Sequence, residues 1–482
     1  MPKQRRVEAH PRPLCVDLDG TLVRTDLLVE SVFALLKQNI LFLFALPVWL
    51  LKGKHHLKQQ IADRVDLDVG LLPYHEPFVD YLKQQRAAGR RLILATASNP
   101  KFAKAVADHL GLFDGVLASD EQTNLSGRQK LERLRSRFGD GNFDYAGNAR
   151  ADVPIWAHAG EAILVNPERG VRAAVERVAR ITQTFDDGTG KFTLYLKAMR
   201  LEHWLKNILV FVPLALAHQF GDPELLVRAG LAFLAFGLCA SSVYLLNDLL
   251  DLPADREHPT KRHRPFAAGR ISILYGTALI PGLLAASVAV ALLLPLEFVW
   301  VLGFYYVMTL AYSLRLKRAA LVDVLVLAGL YTLRIIAGAA AVSVVLSFWL
   351  LAFSLFLFLS LAMVKRYTEL LALPERRRDH AAGRGYYTVD LETLAHFGSS
   401  SGLMAVLVLA FYINSDAVKA LYTRPEVLWL LCPLLIYLVS RIWLLARRND
   451  LHQDPMVFAI RDRRSQWLVG VGGLLLWAAA WI

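Results

Sequence analysis

Residues 247–269 read NDLLDLPADREHPTKRHRPFAAG and lie between two long apolar runs. Asp248, Asp251 and Asp255 are spaced i, i+3 and i+7, so on a helix their carboxylates share one face. Asn247 sits one turn before the second of these aspartates. The spacing therefore predicts an acidic face where one apolar helix ends.

Pro253 interrupts this acidic helix, and we expect the helix to restart just after Asp251. Adjacent carboxylates repel one another unless a cation neutralises them, and Mg²⁺ bound together with substrate phosphates suits such ligands. Lys261 and Arg264 follow closely and could hold the remaining anionic oxygens. The alternative is a solvated acidic turn between two membrane spans.

Apolar runs near the ~20 residues that cross a bilayer fill the chain after about residue 200. We predict an all-α polytopic membrane bundle of about nine transmembrane helices. The predicted spans are 204–219, 226–246, 272–294, 297–313, 320–344, 346–364, 398–413, 426–446 and 466–482.

The net charge of +12 comes largely from basic residues at the ends of these runs, which indicates membrane orientation and argues against a nucleic-acid partner. The N-terminal stretch MPKQRRVEAHPRP lacks the apolar core of a secretory signal. We therefore expect a cell (inner) membrane protein with a cytoplasmic N-terminal domain. On that orientation, the cytosolic connections carry Arg256, Lys261, Arg262, Arg264, Arg315, Lys317, Arg318, Lys365, Arg366, Arg376, Arg377, Arg378, Arg447, Arg448, Arg461, Arg463 and Arg464.

Asp323, Tyr331 and Arg334 lie within one apolar span, where ionisable groups are costly and usually face a partner or a wet cavity. Asp323 and Arg334 are about three turns apart, so they share a helix face but cannot pair directly. The alternative is that Asp323 only caps the cytosolic end and Arg334 bridges to another helix.

The acidic segment resembles the first aspartate-rich motif of the UbiA prenyltransferase superfamily, and Tyr312-Ser313-x-x-Leu316-Lys317 leading to Asp323 resembles the second. The resemblance implies Mg²⁺ ligands at Asp248, Asp251, Asp255 and Asp323, and substrate contacts from Asn247, Lys261, Arg264, Lys317, Tyr331 and Arg334. One departure is Leu327, which stands four residues after Asp323 in place of a second aspartate.

Four further pieces are similar to decaprenyl-phosphate phosphoribosyltransferases: WLKN at 204–207, DREHPTKRHRP at 255–265, KRYTEL at 365–370, and Asp454-Pro455 followed by IRDRRS. Lys206 would then bind substrate. The implied reaction moves phosphoribosyl from phosphoribosyl diphosphate to a polyprenyl phosphate. The motif serves a prenyl diphosphate donor and an aromatic or other lipid-soluble acceptor equally well, so both reactions stay open.

Residues 14–21, LCVDLDGT, read as a short apolar strand ending in two acids, and resemble the first motif of the haloacid dehalogenase (HAD) superfamily. By resemblance Asp17 is the nucleophile and Asp19 the general acid and base. RLILATAS would deliver Thr96 and Ser98 to a phosphate that Lys130 neutralises. Asn148 and Asp152, in YAGNARAD, would join Asp17 and Asp19 around Mg²⁺, although an acid is commoner where Asn148 stands.

These motifs predict an N-terminal α/β HAD-like (Rossmannoid) domain over 1–185 with a helical cap at about 27–88, a linker at 186–193, and a UbiA-like membrane domain over 194–482. Within the cap, ILFLFALPVWLL is too short to span, so it either rests on the membrane or packs in the cap. Cys15, Cys239 and Cys432 are too widely spaced for a disulfide framework or a zinc site.

Three functions remain open. The first is phosphoribosyl transfer to polyprenyl phosphate, with the HAD domain dephosphorylating the lipid-linked product. The second is prenyl transfer, and the third is a non-catalytic scaffold for the HAD domain. We expect a polyprenyl lipid, phosphoribosyl or prenyl diphosphate, Mg²⁺ and membrane lipid as ligands, with a homo-oligomer left open.

Overall fold

The computed structural model describes residues 12–119, 125–188, 191–372, 385–451 and 454–481. The chain forms two compact units: the first runs to Met199 and includes Leu245–Leu279, and the second combines Arg200–Tyr244 with the chain from Ile280 onward. The aspartate-rich segment therefore belongs to the first unit. The predicted domain boundaries remain predictions, and residues 189–190 of the predicted linker, with Arg376, Arg377 and Arg378, lie outside the described residues.

The strands are β1 Leu14–Val16, β2 Leu92–Ala95, β3 Gly115–Leu117, β4 Asp144–Gly147, β5 Ala162–Val165 and β6 Ile181–Phe185. The helices of the first unit are α1 Leu27–Gln38, α2 Phe42–Leu51, α3 Lys54–Ala62, α4 Glu76–Ala87, α5 Pro100–Leu110, α6 Arg128–Phe138, α7 Val153–Trp156, α8 Val171–Val175, α9 Lys191–Ala198 and α12 Leu252–Glu257. Helices α11 Pro223–Leu250 and α13 Ile273–Ala291 each run from one unit into the other.

The helices of the second unit are α10 Val212–Leu216, α14 Leu296–Leu314, α15 Val322–Val342, α16 Phe348–Leu371, α17 Leu391–Ile413, α18 Asp416–Leu421, α19 Leu431–Arg447, α20 Pro455–Arg461 and α21 Arg463–Trp481. Short 3-10 helices cover Val69–Leu71, Arg150–Asp152, Leu201–Phe211, Lys261–His263, Leu316–Arg318, Thr388–Asp390 and Pro425–Leu430.

The six strands form one sheet in the order β3-β2-β1-β4-β5-β6, and each neighbouring pair is parallel. In register, Val16 pairs with Leu94 on one side and with Ala146 on the other. The carboxyl ends of β1, β2 and β4 therefore meet at one edge of the sheet. The predicted α/β fold is confirmed.

Successive residues of β1 point to opposite faces of the sheet. Val16 joins a buried cluster with Phe78 of α4 and Phe102 of α5, whereas Cys15 joins Trp156 in the cluster on the other side. Two helical layers thus cover the sheet, as a parallel sheet requires.

Helices α1 to α3, in the predicted cap, share a small core of their own around Leu35, Ile61 and Val65. Residues from one side of α2, including Trp49, pack against this core. The rest of α2 is exposed, and Phe44 is 75% accessible. The apolar segment therefore packs in the cap on one side and leaves an apolar surface on the other.

Among the described residues, seven helices are long and apolar enough to cross a membrane: Pro223–Leu250, Ile273–Ala291, Leu296–Leu314, Val322–Val342, Phe348–Leu371, Thr388–Ile413 and Pro425–Arg447. They correspond to the second to eighth predicted spans, and the count of nine is not confirmed. The first predicted span is a 3-10 helix followed by the short α10. α21 is long enough, but polar residues in its first turns and several glycines lower its mean hydropathy.

Close backbone packing in the second unit involves Gly338 of α15. A Cβ atom added at this position would lie 2.0 Å from the carbonyl oxygen of Val210. Glycine lets helices approach this closely in membrane proteins. Around the contact, Ala337, Phe236 and Phe298 share a buried apolar cluster.

Candidate functional site

The carboxyl edge of the sheet gathers the predicted HAD residues. Asp17 follows β1, Thr96 follows β2 and Asn148 follows β4. The Asp17 amide donates to the Ala146 carbonyl at 2.9 Å, which extends the strand pairing by one residue. Strand register thus brings the three motifs together, at the edge where open α/β sheets bind ligands.

Lys130 of α6 links two of the predicted carboxylates. Its Nζ donates to Asp17 Oδ1 at 2.8 Å and lies 3.8 Å from Asp152 Oδ1. Tyr145 completes the network, because its hydroxyl accepts from Lys130 at 3.0 Å and donates to Asp152 at 3.0 Å. Burial opposes the charge of this lysine, but Asp17 and Asp152 raise the pKa of Lys130. The ammonium is therefore a permanent positive charge beside the proposed nucleophile.

Asp19 is held from two sides. Its Oδ2 accepts from Ser98 Oγ at 2.5 Å, and its Oδ1 accepts from the amide of Leu27 at 2.9 Å. Burial, together with the charge of Asp26, raises the pKa of Asp19 to about 7. A carboxyl group that titrates near neutral pH suits a general acid and base.

Asn148 and Asp152 lie in the loop and first turn after β4. Asn148 Oδ1 accepts from Thr21 Oγ1 at 3.3 Å. Gly20 adopts a φ of +74°, and a Cβ there would lie 2.3 Å from Asn148 Nδ2. A larger residue at this position would strain the backbone and displace the Asn148 side chain. Burial and the Asp17 charge raise the pKa of Asp152 to about 6.

The aspartate-rich segment begins at the end of α11 and continues into α12. α11 ends at Leu250, and Asp251 is the N-cap residue of α12, so the predicted restart after Asp251 is confirmed. Asp248 and Asp255 accept from the same Arg264 Nη1, at 3.2 and 2.6 Å. The structure therefore brings two of the three predicted carboxylates to one guanidinium, which neutralises both.

The third aspartate of the segment pairs with a lysine from far away in sequence. Lys37 Nζ, in the last turn of α1, lies 3.1 Å from Asp251 Oδ1. Asn247 is half-buried within α11, and Lys261 is exposed at the start of a 3-10 turn. Nothing in the spacing of the aspartates predicted the contact with Lys37.

In the second unit, Asp323 is fully buried near the start of α15. Its Oδ2 accepts from Arg366 Nε at 2.5 Å, and its Oδ1 accepts from the Tyr386 hydroxyl at 2.5 Å. Arg366 also donates to the hydroxyl of Tyr312 at 2.8 Å. Lys317 lies in the 3-10 turn just before α15. Asp323 therefore joins three helices through one guanidinium.

Arg334 bridges to other elements, as in the structural alternative considered for it. Its guanidinium donates to Asn207 Oδ1 at 2.9 Å and to the Tyr305 hydroxyl at 2.8 Å. The guanidinium carbon lies 5.6 Å from the centre of the Tyr331 ring. Lys206 Nζ lies 5.5 Å from the same ring, so Tyr331 contacts two predicted cations.

Asp454 gathers two of the basic residues of the second unit. Its Oδ2 accepts from Lys206 at 2.7 Å and from Lys365 at 3.1 Å. Although burial opposes the charge, Lys365 and Lys206 hold the pKa of Asp454 well below its usual range. Asp454 was not among the predicted site residues, although the Asp454-Pro455 pair was one of the sequence pieces similar to the phosphoribosyltransferases.

The acidic groups fit a hard cation by the chemistry of their donors, because carboxylate and amide oxygens are the ligands that Mg²⁺ prefers. Within the described ranges, however, no three His, Cys, Asp or Glu side chains are grouped closely enough to hold a metal. Lys130, Arg264 and Lys37 instead neutralise the carboxylates. Metal binding at Asp17, Asp19, Asn148, Asp152, Asp248, Asp251, Asp255 and Asp323 therefore remains a prediction.

Comparison with known proteins matches residues 208–478 to the UbiA prenyltransferase family and residues 14–156 to the haloacid dehalogenase-like hydrolases. The protein y4nM of Sinorhizobium fredii is 40% identical over 95% of this chain and 89% of its own length. The nodulation protein NoeC of Azorhizobium caulinodans is 37% identical over 59% of this chain and 92% of its own length.

A third relative is the decaprenyl-phosphate phosphoribosyltransferase of Mycobacterium tuberculosis, 41% identical over 36% of this chain and 59% of its own length. The two family matches cover separate parts of the chain, and the candidate spans make it an integral membrane protein. The chain belongs to the UbiA prenyltransferase family and carries an N-terminal HAD-like domain.

Proposed function

We propose that the UbiA-type part of this enzyme transfers phosphoribosyl from phosphoribosyl diphosphate to a polyprenyl phosphate. The observation that carries the proposal is that Asp248 and Asp255 both contact the guanidinium of Arg264. Part of the chain is also 41% identical to a decaprenyl-phosphate phosphoribosyltransferase. In the reaction, an oxygen of the acceptor phosphate forms a bond to ribose C1, and the bond from C1 to the diphosphate breaks.

The aspartate-rich segment would bind the diphosphate of the donor. Asp248, Asp251 and Asp255 would hold Mg²⁺, which supplies positive charge that stabilises the leaving diphosphate. Arg264 already contacts two of these aspartates, so it can pass its hydrogen bonds to phosphate oxygens when the aspartates bind a cation. Lys261 would provide a further cation from the adjacent turn.

A phosphoribosyl donor and a phosphorylated acceptor together carry more phosphate than a prenyl diphosphate with an aromatic acceptor. The second unit contains basic groups in its interior, including Arg334, Arg366 and Lys206, which are largely buried. Each is held by protein acceptors that a phosphate could replace or extend. This supply of buried cations favours the phosphoribosyl reaction over prenyl transfer.

We further propose that the HAD-like domain removes the 5-phosphate from the lipid-linked product. Asp17 would attack phosphorus to form an aspartyl-phosphate, and the ribose oxygen would leave with a proton from Asp19. Water would then release inorganic phosphate, with Asp19 accepting its proton. The side chains support these roles, because Asp17 contacts Lys130 and the pKa of Asp19 is raised to about 7.

A lipid-linked substrate also accounts for the exposed side of α2. Phe44 and Leu51 are 75% and 88% accessible, which is unusual for apolar residues of a domain that works only in water. An apolar helix of this kind can rest on a bilayer surface. The proposed location is the cell (inner) membrane, with the HAD-like domain on the cytoplasmic side.

The identity of the donor substrate is tested with purified protein in vesicles that contain polyprenyl phosphate. Labelled phosphoribosyl diphosphate should transfer its ribose to the lipid phase, and Asp248→Ala should abolish the transfer. Asp108→Ala, at an exposed position of α5, is the matched control. Turnover of prenyl diphosphate with an aromatic acceptor, without phosphoribosyl transfer, would replace this proposal by prenyl transfer.

A further inference from the structure

Helix α1 contacts one proposed catalytic group at each of its ends. At its start, the Leu27 amide donates to Asp19 Oδ1 at 2.9 Å. In its last turn, Lys37 Nζ lies 3.1 Å from Asp251 Oδ1. Twelve helical residues span about 18 Å, so one rigid element reaches from the HAD site to the aspartate-rich segment.

A buried ion pair fixes the first turn of α1 to α12. Arg256 donates through both terminal nitrogens to the two oxygens of Glu30, at 2.9 and 2.5 Å, and the two side chains are 6% and 5% exposed. Arg256 Nε also donates to the Ala267 carbonyl at 3.0 Å. A bidentate ion pair of this kind fixes the relative orientation of the two side chains as well as their distance.

The turn after the aspartate-rich segment is docked on the same domain at a second point. Gly269 has a φ of +66°, and a Cβ there would lie 2.6 Å from Arg24 Cβ and 3.1 Å from Pro73 Cβ. No larger residue fits this contact without a shift of its neighbours. The Glu30 pair and this contact therefore hold the segment on both sides of Arg264.

We propose that Lys37, a residue of the HAD-like domain, is an additional cationic anchor for the diphosphate donor of the transferase. Glu30 and Arg256 are positioning residues that hold α1 so that Lys37 reaches Asp251. The inference rests on the proposed role of the aspartate-rich segment in diphosphate binding. Phosphate oxygens bound beside Asp251 would lie within reach of the Lys37 ammonium, whose side chain is 36% exposed and can turn toward them.

The first test is Lys37→Met, which keeps much of the apolar stem and removes the charge. The KM for the donor should rise about tenfold, since a charge-assisted hydrogen bond is lost, while kcat stays within about twofold. Lys104→Met, at an exposed lysine of α5, is the control and should change neither constant. An unchanged donor KM in Lys37→Met would overturn the proposal. If the variant instead only needed less Mg²⁺, with no change in donor KM, Lys37 would be a counter-ion of Asp251 and the proposal would also be wrong.

The second test separates positioning from folding. Glu30→Arg should raise the donor KM at least as much as Lys37→Met, and the exchange Glu30→Arg with Arg256→Glu should recover most of the loss. Turnover of a water-soluble phosphomonoester reports whether the start of α1 still holds Asp19, and it should remain near wild type in both proteins. No recovery in the double variant, with that phosphatase turnover intact, would refute the positioning role.

A failure of the proposed reaction can be told apart from a failure of this inference. The donor KM is measured for whichever diphosphate the wild type turns over, whether phosphoribosyl or prenyl. If only prenyl diphosphate reacts, the phosphoribosyl proposal fails, but a raised KM of Lys37→Met for that donor still supports the anchor.

Discussion

Lys130→Met removes the one buried cation seen between Asp17 and Asp152 in the described part of the HAD-like domain. The side chain is 4% exposed, and its ammonium lies 2.8 and 3.8 Å from the two carboxylates. Methionine has a similar length, so the change removes charge with little loss of volume. The two carboxylates would then face each other without compensation.

Removing one partner of a buried ion pair costs about 3–5 kcal/mol. We take the lower end, about 3 kcal/mol, because the raised pKa of Asp152, about 6, lets that carboxyl group accept a proton in response. A loss of this size raises the opening equilibrium constant roughly a hundredfold. Activity should fall further, because Lys130 would also neutralise the bound phosphate.

Hydrogen exchange of the full-length protein in detergent measures this loss locally. Peptides that contain β1 and β4 should lose roughly a hundredfold of their protection, whereas those of α15 should not change. Lys104→Met provides the matched control at an exposed position. Unchanged protection of β1 in Lys130→Met would refute the view that this lysine neutralises the two carboxylates.

Three further predictions concern other parts of the chain. Each of Asp248→Ala, Asp251→Ala and Asp255→Ala should abolish transfer and lower the thermal unfolding midpoint by no more than a few degrees. Normal transfer by all three variants would exclude a diphosphate site at these aspartates. Gly338→Ala should unfold at clearly lower temperature in detergent, since its Cβ would lie 2.0 Å from the Val210 carbonyl oxygen, whereas Gly329→Ala on the same helix, with nothing within 4 Å, should behave as wild type. Phe44→Glu should slow hydrolysis of a lipid-linked phosphomonoester in vesicles several-fold and leave a water-soluble one unaffected; equal loss on both substrates would argue against a lipid contact of α2.

Short-range sequence patterns correctly predicted which residues lie at the carboxyl edge of the sheet in the HAD-like domain. Asp17, Thr96 and Asn148 each follow an apolar strand, and parallel strands bring such residues to one edge. The restart at Asp251 followed from the local chemistry of Pro253. In each case, the structure depends on residues that are neighbours in sequence or on a repeat of strand and helix.

Ion pairs between residues that are distant in sequence could not be predicted from the sequence. Lys37 and Asp251 are separated by 214 residues, and Glu30 and Arg256 by 226. A surface lysine near a helix end has many acidic partners available in principle, so periodicity cannot choose between them. The structure also places the buried Asp323 against Arg366 and Tyr386, and local spacing does not encode these contacts.

The first and the ninth predicted spans are not confirmed, and at both positions apolar composition and helix structure disagree. Residues 204–219 are apolar enough to suggest a span, yet they form a 3-10 helix and then the short α10, with Pro213 at its first turn. At the other end of the chain, α21 has the length of a span, but Arg464 and Gln466 in its first turns lower its hydropathy. Hydrophobic windows judge composition and cannot detect a change of helix type.

We propose that one chain makes a lipid-linked phosphoribose and then removes its phosphate. The most direct measurement uses phosphoribosyl diphosphate labelled with ¹⁴C in the ribose and with ³²P in the 5-phosphate, added to protein in vesicles with polyprenyl phosphate. Wild type should leave ¹⁴C in the lipid and release ³²P as inorganic phosphate, whereas Asp17→Asn should retain both labels in the lipid. An equal ratio of the two labels in the lipids of both proteins would show that the HAD-like domain does not remove the 5-phosphate.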